Sequence, residues 1–120
     1  MTFLPIYKTL NASTEVKALI DPAKQVFEDR APLGTPTPYI VWQALSGQAI
    51  NHLDCPSNFD DTQFQVMVYA TTAKQAYELR AAARKALEND CWILNPSINT
   101  YESDTNLYAR GFDANYILPR

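Results

Sequence analysis

Between Thr62 and Leu87 the spacing of apolar residues changes from a period of two to a helical period, and this change fixes most of what the chain can fold into. From Thr62 to Ala70 the residues alternate. Phe64, Val66, Val68 and Ala70 fall on one face, and Gln63, Gln65, Met67 and Tyr69 fall on the other, the pattern of a strand with one face on a core. Thr72 then stands at an N-cap position with Gln75 three residues on, the arrangement of a capping box. After it Ala76, Leu79, Ala83, Ala86 and Leu87 form one apolar stripe, with Lys74, Glu78, Arg84, Lys85 and Glu88 on the solvent side. A strand running directly into an amphipathic helix calls for a sheet with that helix on its face.

The flanking segments extend this unit. Tyr39 to Ser46 is almost continuously apolar and predicts a strand covered on both faces. Trp42 lies in its middle, so a neighbouring molecule or the N-terminal helix must cover the second face. Gly47 to Asp61 reads as a long polar excursion with Cys55-Pro56-Ser57-Asn58 at its tip. Thr2 to Leu10 has helical spacing. A second helical piece starts after an N-cap at Ser13 and stops at Pro22. Gln25 to Glu28 is a short strand, and the segment Ala31 to Pro38, with three prolines and a glycine, is an irregular connection. Two further strands, Ile98 to Ser103 and Leu107 to Ile117, flank a turn at Asp104-Thr105-Asn106, and Gly111 marks a bulge or bend. The fold class expected is α+β: an antiparallel sheet of four to five strands, with an N-terminal helix and one long amphipathic helix packed on it. At 120 residues the chain is expected to be one domain spanning 1–120.

Charge narrows the partners. Ten Lys and Arg stand against 13 Asp and Glu, for a net charge of −3. That balance, with no basic stripe, points away from nucleic-acid recognition and anionic membrane surfaces. No apolar run reaches the roughly 18 residues of a membrane span. The apolar N-terminus is too short for a signal peptide and is read as part of the fold. Cys55 and Cys91 form no CxxC pair and no Cys/His cluster, so two reduced thiols in a cytoplasmic setting are expected.

Catalytic chemistry finds little to build on. His52 is the single histidine and sits in the polar excursion beside Asp54; a base there needs an orienting partner. Cys91 precedes Trp92-Ile93-Leu94, which reads as a hydrophobic return into the core around a buried, inert thiol. The acid pairs Glu28-Asp29 and Asp60-Asp61 read as solvated turn residues. No phosphate loop, zinc motif or nucleophile elbow is present. The expectation is a protein without enzymatic activity, cofactor or metal. Its contact candidates are Trp42, Gln48, His52, Asp54, Phe59, Met67 and Tyr69, on the two-faced strand, the excursion and the alternating strand. A non-catalytic adaptor module is the alternative reading.

The ordered set Ala31-Pro32-Leu33-Gly34-Thr35, Pro38-Tyr39-Ile40-Val41-Trp42, a polar loop, Gln65-Val66-Met67-Val68-Tyr69-Ala70 and the helix ending Ala83-Arg84-Lys85-Ala86-Leu87 resembles the small tail completion proteins of long-tailed phages and prophages, also called tail-to-head joining or tail terminator proteins. The resemblance implies an α+β subunit of a ring, usually a hexamer, that caps the tail tube and presents a surface to the head-tail connector protein. The implied partners are other copies of the chain, the tail tube protein and the connector. The implied location is the virion tail, assembled in the host bacterial cytoplasm. No catalytic or cofactor residue comes with the resemblance.

Overall fold

A computed structural model describes residues 4–52 and 55–119, with side chains described outside 47–59 and 118–119. The elements in order are α1 (Ile6–Ala12), α2 (Thr14–Leu19), α3 (Pro22–Gln25), β1 (Val26–Glu28), β2 (Tyr39–His52), β3 (Cys55–Ala70), α4 (Ala73–Leu87), β4 (Trp92–Glu102) and β5 (Leu107–Pro119). The strands form one sheet in the order β1-β2-β3-β5-β4. All neighbours are antiparallel except β1 and β2, which run parallel.

The change of period at Ala70 is realised as expected. Phe64, Val66, Val68 and Ala70 are fully buried, and so are Ala76, Leu79 and Ala83 of α4. The Thr72 hydroxyl accepts a hydrogen bond from the Gln75 backbone N–H at 3.2 Å, satisfying one donor that the helix start leaves without an intrahelical partner. Arg84 and Glu88 pair across one turn at 3.3 Å, both partly exposed.

The N-terminal region departs from a simple pair of helical pieces. Ser13 caps α2 by accepting from the Val16 N–H, and Ile6, Leu10 and Val16 are fully buried. Pro22, however, begins α3 rather than ending structure. Proline has no N–H to lose in a first turn, and Asp21 caps the turn by accepting from Ala23 N–H. Gln25 falls in α3, not in β1, and acts as a clamp. Its amide nitrogen donates to the Pro38 carbonyl at 2.8 Å and the Pro36 carbonyl at 3.3 Å, while its oxygen accepts from Asp21 N–H at 2.7 Å. This fixes the proline-rich connection. Within that connection Thr35 N–H donates to the Pro32 carbonyl at 3.3 Å across Gly34, whose φ of 82° is open to glycine at no steric cost.

Three strand expectations need correction. The polar excursion from Gly47 to Asp61 is a paired β arm. β2 runs on to His52, and its register with β3 continues through Gln48↔Asp61 and Ile50↔Phe59 to His52↔Cys55. Cys55 to Asn58 therefore belong to β3, and the connection at 53–54 lies outside the described residues. β4 starts at Trp92, not Ile98, and Trp92 and Leu94 are 58% and 54% exposed rather than returned to the core. Gly111 sits in continuous register with Met67, and the register shifts fall instead on β4, between Ile93 and Ile98, and on β2, at Ala44/Ser46 and Ile50/His52.

Candidate protein-contact surface

The pleat of the sheet separates two faces with different fates. One is covered by the helices: Ile40, Trp42, Phe64, Val66, Val68, Phe112 and Ala114 are all at most 7% exposed. On the other, Tyr39, Val41 and Gln43 of β2 stand beside Tyr69, Met67 and Gln65 of β3, and these stand beside Ala109, Gly111 and Asp113 of β5. Tyr39, Val41, Gln43, Gln65, Met67, Tyr69 and Asp113 are half-buried, with the 29–31 segment beside Tyr39, Val41 and Tyr69. The helices pack against each other and against the covered face, so the N-terminal helix does not shield this second one.

The free face has a defined texture. The Tyr39 and Tyr69 rings stack with centroids 5.1 Å apart and an interplanar angle of 24°. Burial, and secondarily the Glu102 carboxylate, raises both phenol pKa values, so both hydroxyls are neutral donors in the physiological range. A shallow groove beside them is lined by Asp29, Arg30, Val41 and Glu102. Next along the sheet, Met67 lies over Gly111, where an added Cβ would overlap the Met67 sulfur and the Val66 carbonyl oxygen. Beyond Met67 the face becomes polar. The Asn115 side-chain nitrogen donates to an Asp61 oxygen at 2.9 Å, while among the described residues one oxygen of Asp113, the amide oxygen of Asn115 and, on the other face, the Arg110 Nε are buried with no hydrogen-bond partner. Unpaired buried groups of this kind are costly to the fold.

Two edges add to this surface. β1 ends at the Glu28↔Trp42 pair, so among the described residues the β2 backbone from Gln43 to His52 has no strand beside it on that side. At the other end of the sheet, β4 exposes Trp92, Leu94 and Tyr101. Edges of this kind accept a further strand or a partner surface.

Of the sequence candidates, Met67 and Tyr69 stand together on the free face. Trp42 does not: it points under the helix layer and is 7% exposed, because its position in β2 shares the phase of Ile40. The exposed side of that strand belongs to Tyr39, Val41 and Gln43. Gln48, His52 and Phe59 lie on the arm, where the strand pairing is defined, and Asp54 lies outside the described residues. Asp113 and Asn115 escaped the sequence reading, although the alternation of β5 from Ala109 to Asn115 carries them on the same face as Gly111.

The groups most able to do chemistry are placed for structure. Cys91 is 9% exposed, and its thiol donates to the Leu87 carbonyl at 3.1 Å. Burial first, then the Asp90 and Glu88 charges, push its pKa to about 11, leaving it protonated and a poor nucleophile. Arg110 lies over the rings of Tyr77 and Tyr108 at 5.0 and 5.5 Å and donates to the carbonyls of Thr100 and Ala109. Arg80 stacks on the same Tyr77 ring and donates to Asn99. These contacts tie α4 to the β4–β5 hairpin. Among the described residues no three His, Cys, Asp or Glu side chains gather as a metal site, and no helix is long and apolar enough to cross a membrane.

What the fold and its surfaces define is a small α+β structural subunit with a free sheet face and open sheet edges. The chain belongs to the family described as Tail completion protein gp17, whose model matches residues 5–110. It is thus a phage-tail structural protein. No curated protein matches it. Among solved structures it is similar to a chain of the "Virion of native gene transfer agent (GTA) particle", with 15% identity and a TM-score of 0.72, covering 96% of this chain and 92% of that one. At that identity the likeness concerns the fold.

Proposed function

We propose that copies of this chain assemble into a ring that completes the tail tube and joins it to the head-side connector. The observation carrying this reading is the free sheet face, with its stacked tyrosines, Met67 and the acceptors of Asp113 and Asn115. Its half-buried Tyr39, Val41, Met67 and Tyr69 form an apolar patch that no helix covers, the kind of surface a neighbouring subunit closes. Family membership supports a place in the tail. The similarity to a chain from a virion particle supports the same placement. In this reading the protein acts by contact alone, without catalysis or cofactor, and the ring presents one rim to the tube and the other to the connector. Met67 and Tyr69 contribute to subunit contact in this reading, and the arm carrying Gln48, His52 and Phe59 reaches toward tube or connector.

Light scattering over a concentration series, with and without purified tail tubes, tests the proposal, together with electron microscopy of the tube ends. Discrete oligomers, free or formed at tube ends, are expected. A strict monomer that never binds tubes would sink it.

A further inference from the structure

The free sheet face and the helix layer carry opposite charge, and this decides how two copies can meet. Among the described residues, the strand positions on the free face carry the carboxylates of Asp61, Asp113 and Glu102 and no Lys or Arg, and the segment adjoining Tyr39 and Tyr69 adds one further acid, Asp29, and one cation, Arg30. Packing this face on a second copy of itself would set Asp29, Asp61, Glu102 and Asp113 of each copy against the same acids of the other, with only Arg30 from each to offset them.

The opposite side of the molecule has the complement. α1, α2 and α3 expose Lys8, Lys17 and Lys24, and none of the three joins an ion pair among the described residues. Of the two acids of the same segment, Glu15 is paired, and Asp21 keeps its charge in the groove it shares with Lys17. Glu15 holds Lys85 at 2.6 Å, and Asp21 caps α3. Leu19, 39% exposed, lines an open groove with Lys17 and Gln25. It offers an apolar contact of the kind Met67 and Val41 lack.

From this we infer that successive copies dock head to tail, the α1–α3 surface of one copy covering the free sheet face of the next, with Lys17 and Lys24 set against the carboxylates of Asp61 and Asp113. The inference rests on the ring reading above and specifies its subunit contact. A contact between two different surfaces is heterologous, and it closes into a ring when the rotation per subunit divides a full turn. The lysines offset the carboxylate charge of the sheet face.

The test uses two full-length variants, Asp113→Lys on the sheet face and the double variant Lys17→Glu with Lys24→Glu on the helix face. Each alone juxtaposes like charges at every contact and is expected to weaken association about tenfold or more in sedimentation runs with and without tail tubes. Mixed in equal amounts they can alternate. One contact in two is then native and the other is charge-swapped, so assembly should return to within about threefold of wild type. Thermal melts establish that each variant is folded. Asp61→Lys replaces Asp113→Lys if the latter does not melt cooperatively, and the helix variant, altered only at exposed positions, decides independently.

Wild-type association of the helix variant overturns the docking mode while leaving the ring reading in place. So does weakening of both variants with no recovery on mixing. A wild-type chain that stays monomeric both alone and with tubes overturns the ring reading itself. A wild-type monomer that binds tubes, and loses them on Asp113→Lys, assigns the face to the tube protein and overturns the docking of a second copy.

Discussion

Gly111 shows how much one missing side chain can organise. Met67 can lie flat against β5 because nothing projects from Gly111 toward it, and that places Met67 level with Val41 on the free face. A Cβ at this position would also meet the Met67 Cα at 3.1 Å and the Val66 carbonyl oxygen closer still. The sulfur could swing aside, but backbone atoms inside a central strand cannot. Gly111→Ala should therefore destabilise the fold by about 1–3 kcal/mol, as overpacking does. Chemical denaturation of the variant checks this, and an unchanged midpoint would mean that β3 and β5 yield more than the geometry implies. Cys91 makes a second prediction at this scale. Its thiol pKa is raised from the ordinary 9.0 to about 11, so the folded state holds the proton more tightly than the unfolded state. The contribution to stability is fully present below about pH 9 and is lost as pH rises to about 11. In native protein Cys91 should resist thiol reagents at neutral pH and react at once in denaturant. Mass spectrometry of the labelled Cys91 peptide distinguishes the two states.

At the scale of elements, the strand-to-helix unit is where local signals and tertiary packing agree. The Thr72 cap starts α4 and so orients the stripe of Ala76, Leu79 and Ala83 onto the sheet. Thr72→Ala should cost about 1 kcal/mol in a thermal or urea melt, and Thr72→Ser should restore most of it. An equal loss in both variants would place the effect in the methyl group rather than the cap. This unit, the cap at Ser13 and the turn before Leu107 were all legible in the sequence, because short-range periodicity and turn chemistry determine them. The arm was not. Gln48, Ala49, Ile50, Asn51 and His52 show no clean alternation, and the strand pairing that extends β2 is a backbone interaction with no signature in side-chain polarity. The phase of β2 was equally hidden. Val41 and Trp42 are both apolar, so composition could not say which one the helices cover, and the phase follows from the pairing of Ile40 with Val68. β4 misled for a related reason. Trp92-Ile93-Leu94 has the composition of a core strand but lies at a sheet edge, where the helices leave it exposed. Of the contact surface, Met67 and Tyr69 were legible from alternation in β3, whereas Asp113 and Asn115 depended on knowing that β5 pairs with β3 rather than standing at an edge.

The whole molecule is longer than its chain length requires. Its radius of gyration is 15.2 Å and its extents are 52 × 28 × 24 Å, whereas a compact chain of this length has a radius of gyration of about 13.6 Å. The paired arm of β2 and β3 runs on from the part of the sheet that α4 covers, where Phe64 is the first fully buried residue of β3 among the described side chains. The core and the arm can therefore be separated by experiment. Replacing residues 49–60 by Asn-Gly closes Gln48 onto its own partner Asp61 through a two-residue hairpin turn of the favoured type. It also keeps the Asp61–Asn115 hydrogen bond. The helix-covered core, from Ile6 through Ala114, is untouched, and the shortened chain should unfold cooperatively within a few degrees of the full-length protein. Tube binding should fall sharply if the arm is the element that reaches a tail partner, while self-association through the free sheet face should persist. Retention of tube binding would move that contact to the body of the subunit, with the exposed edge of Trp92 and Leu94 as the next surface to test. Loss of self-association with a normal melt would show instead that the arm holds neighbouring copies together, and that the free face needs it to close the ring.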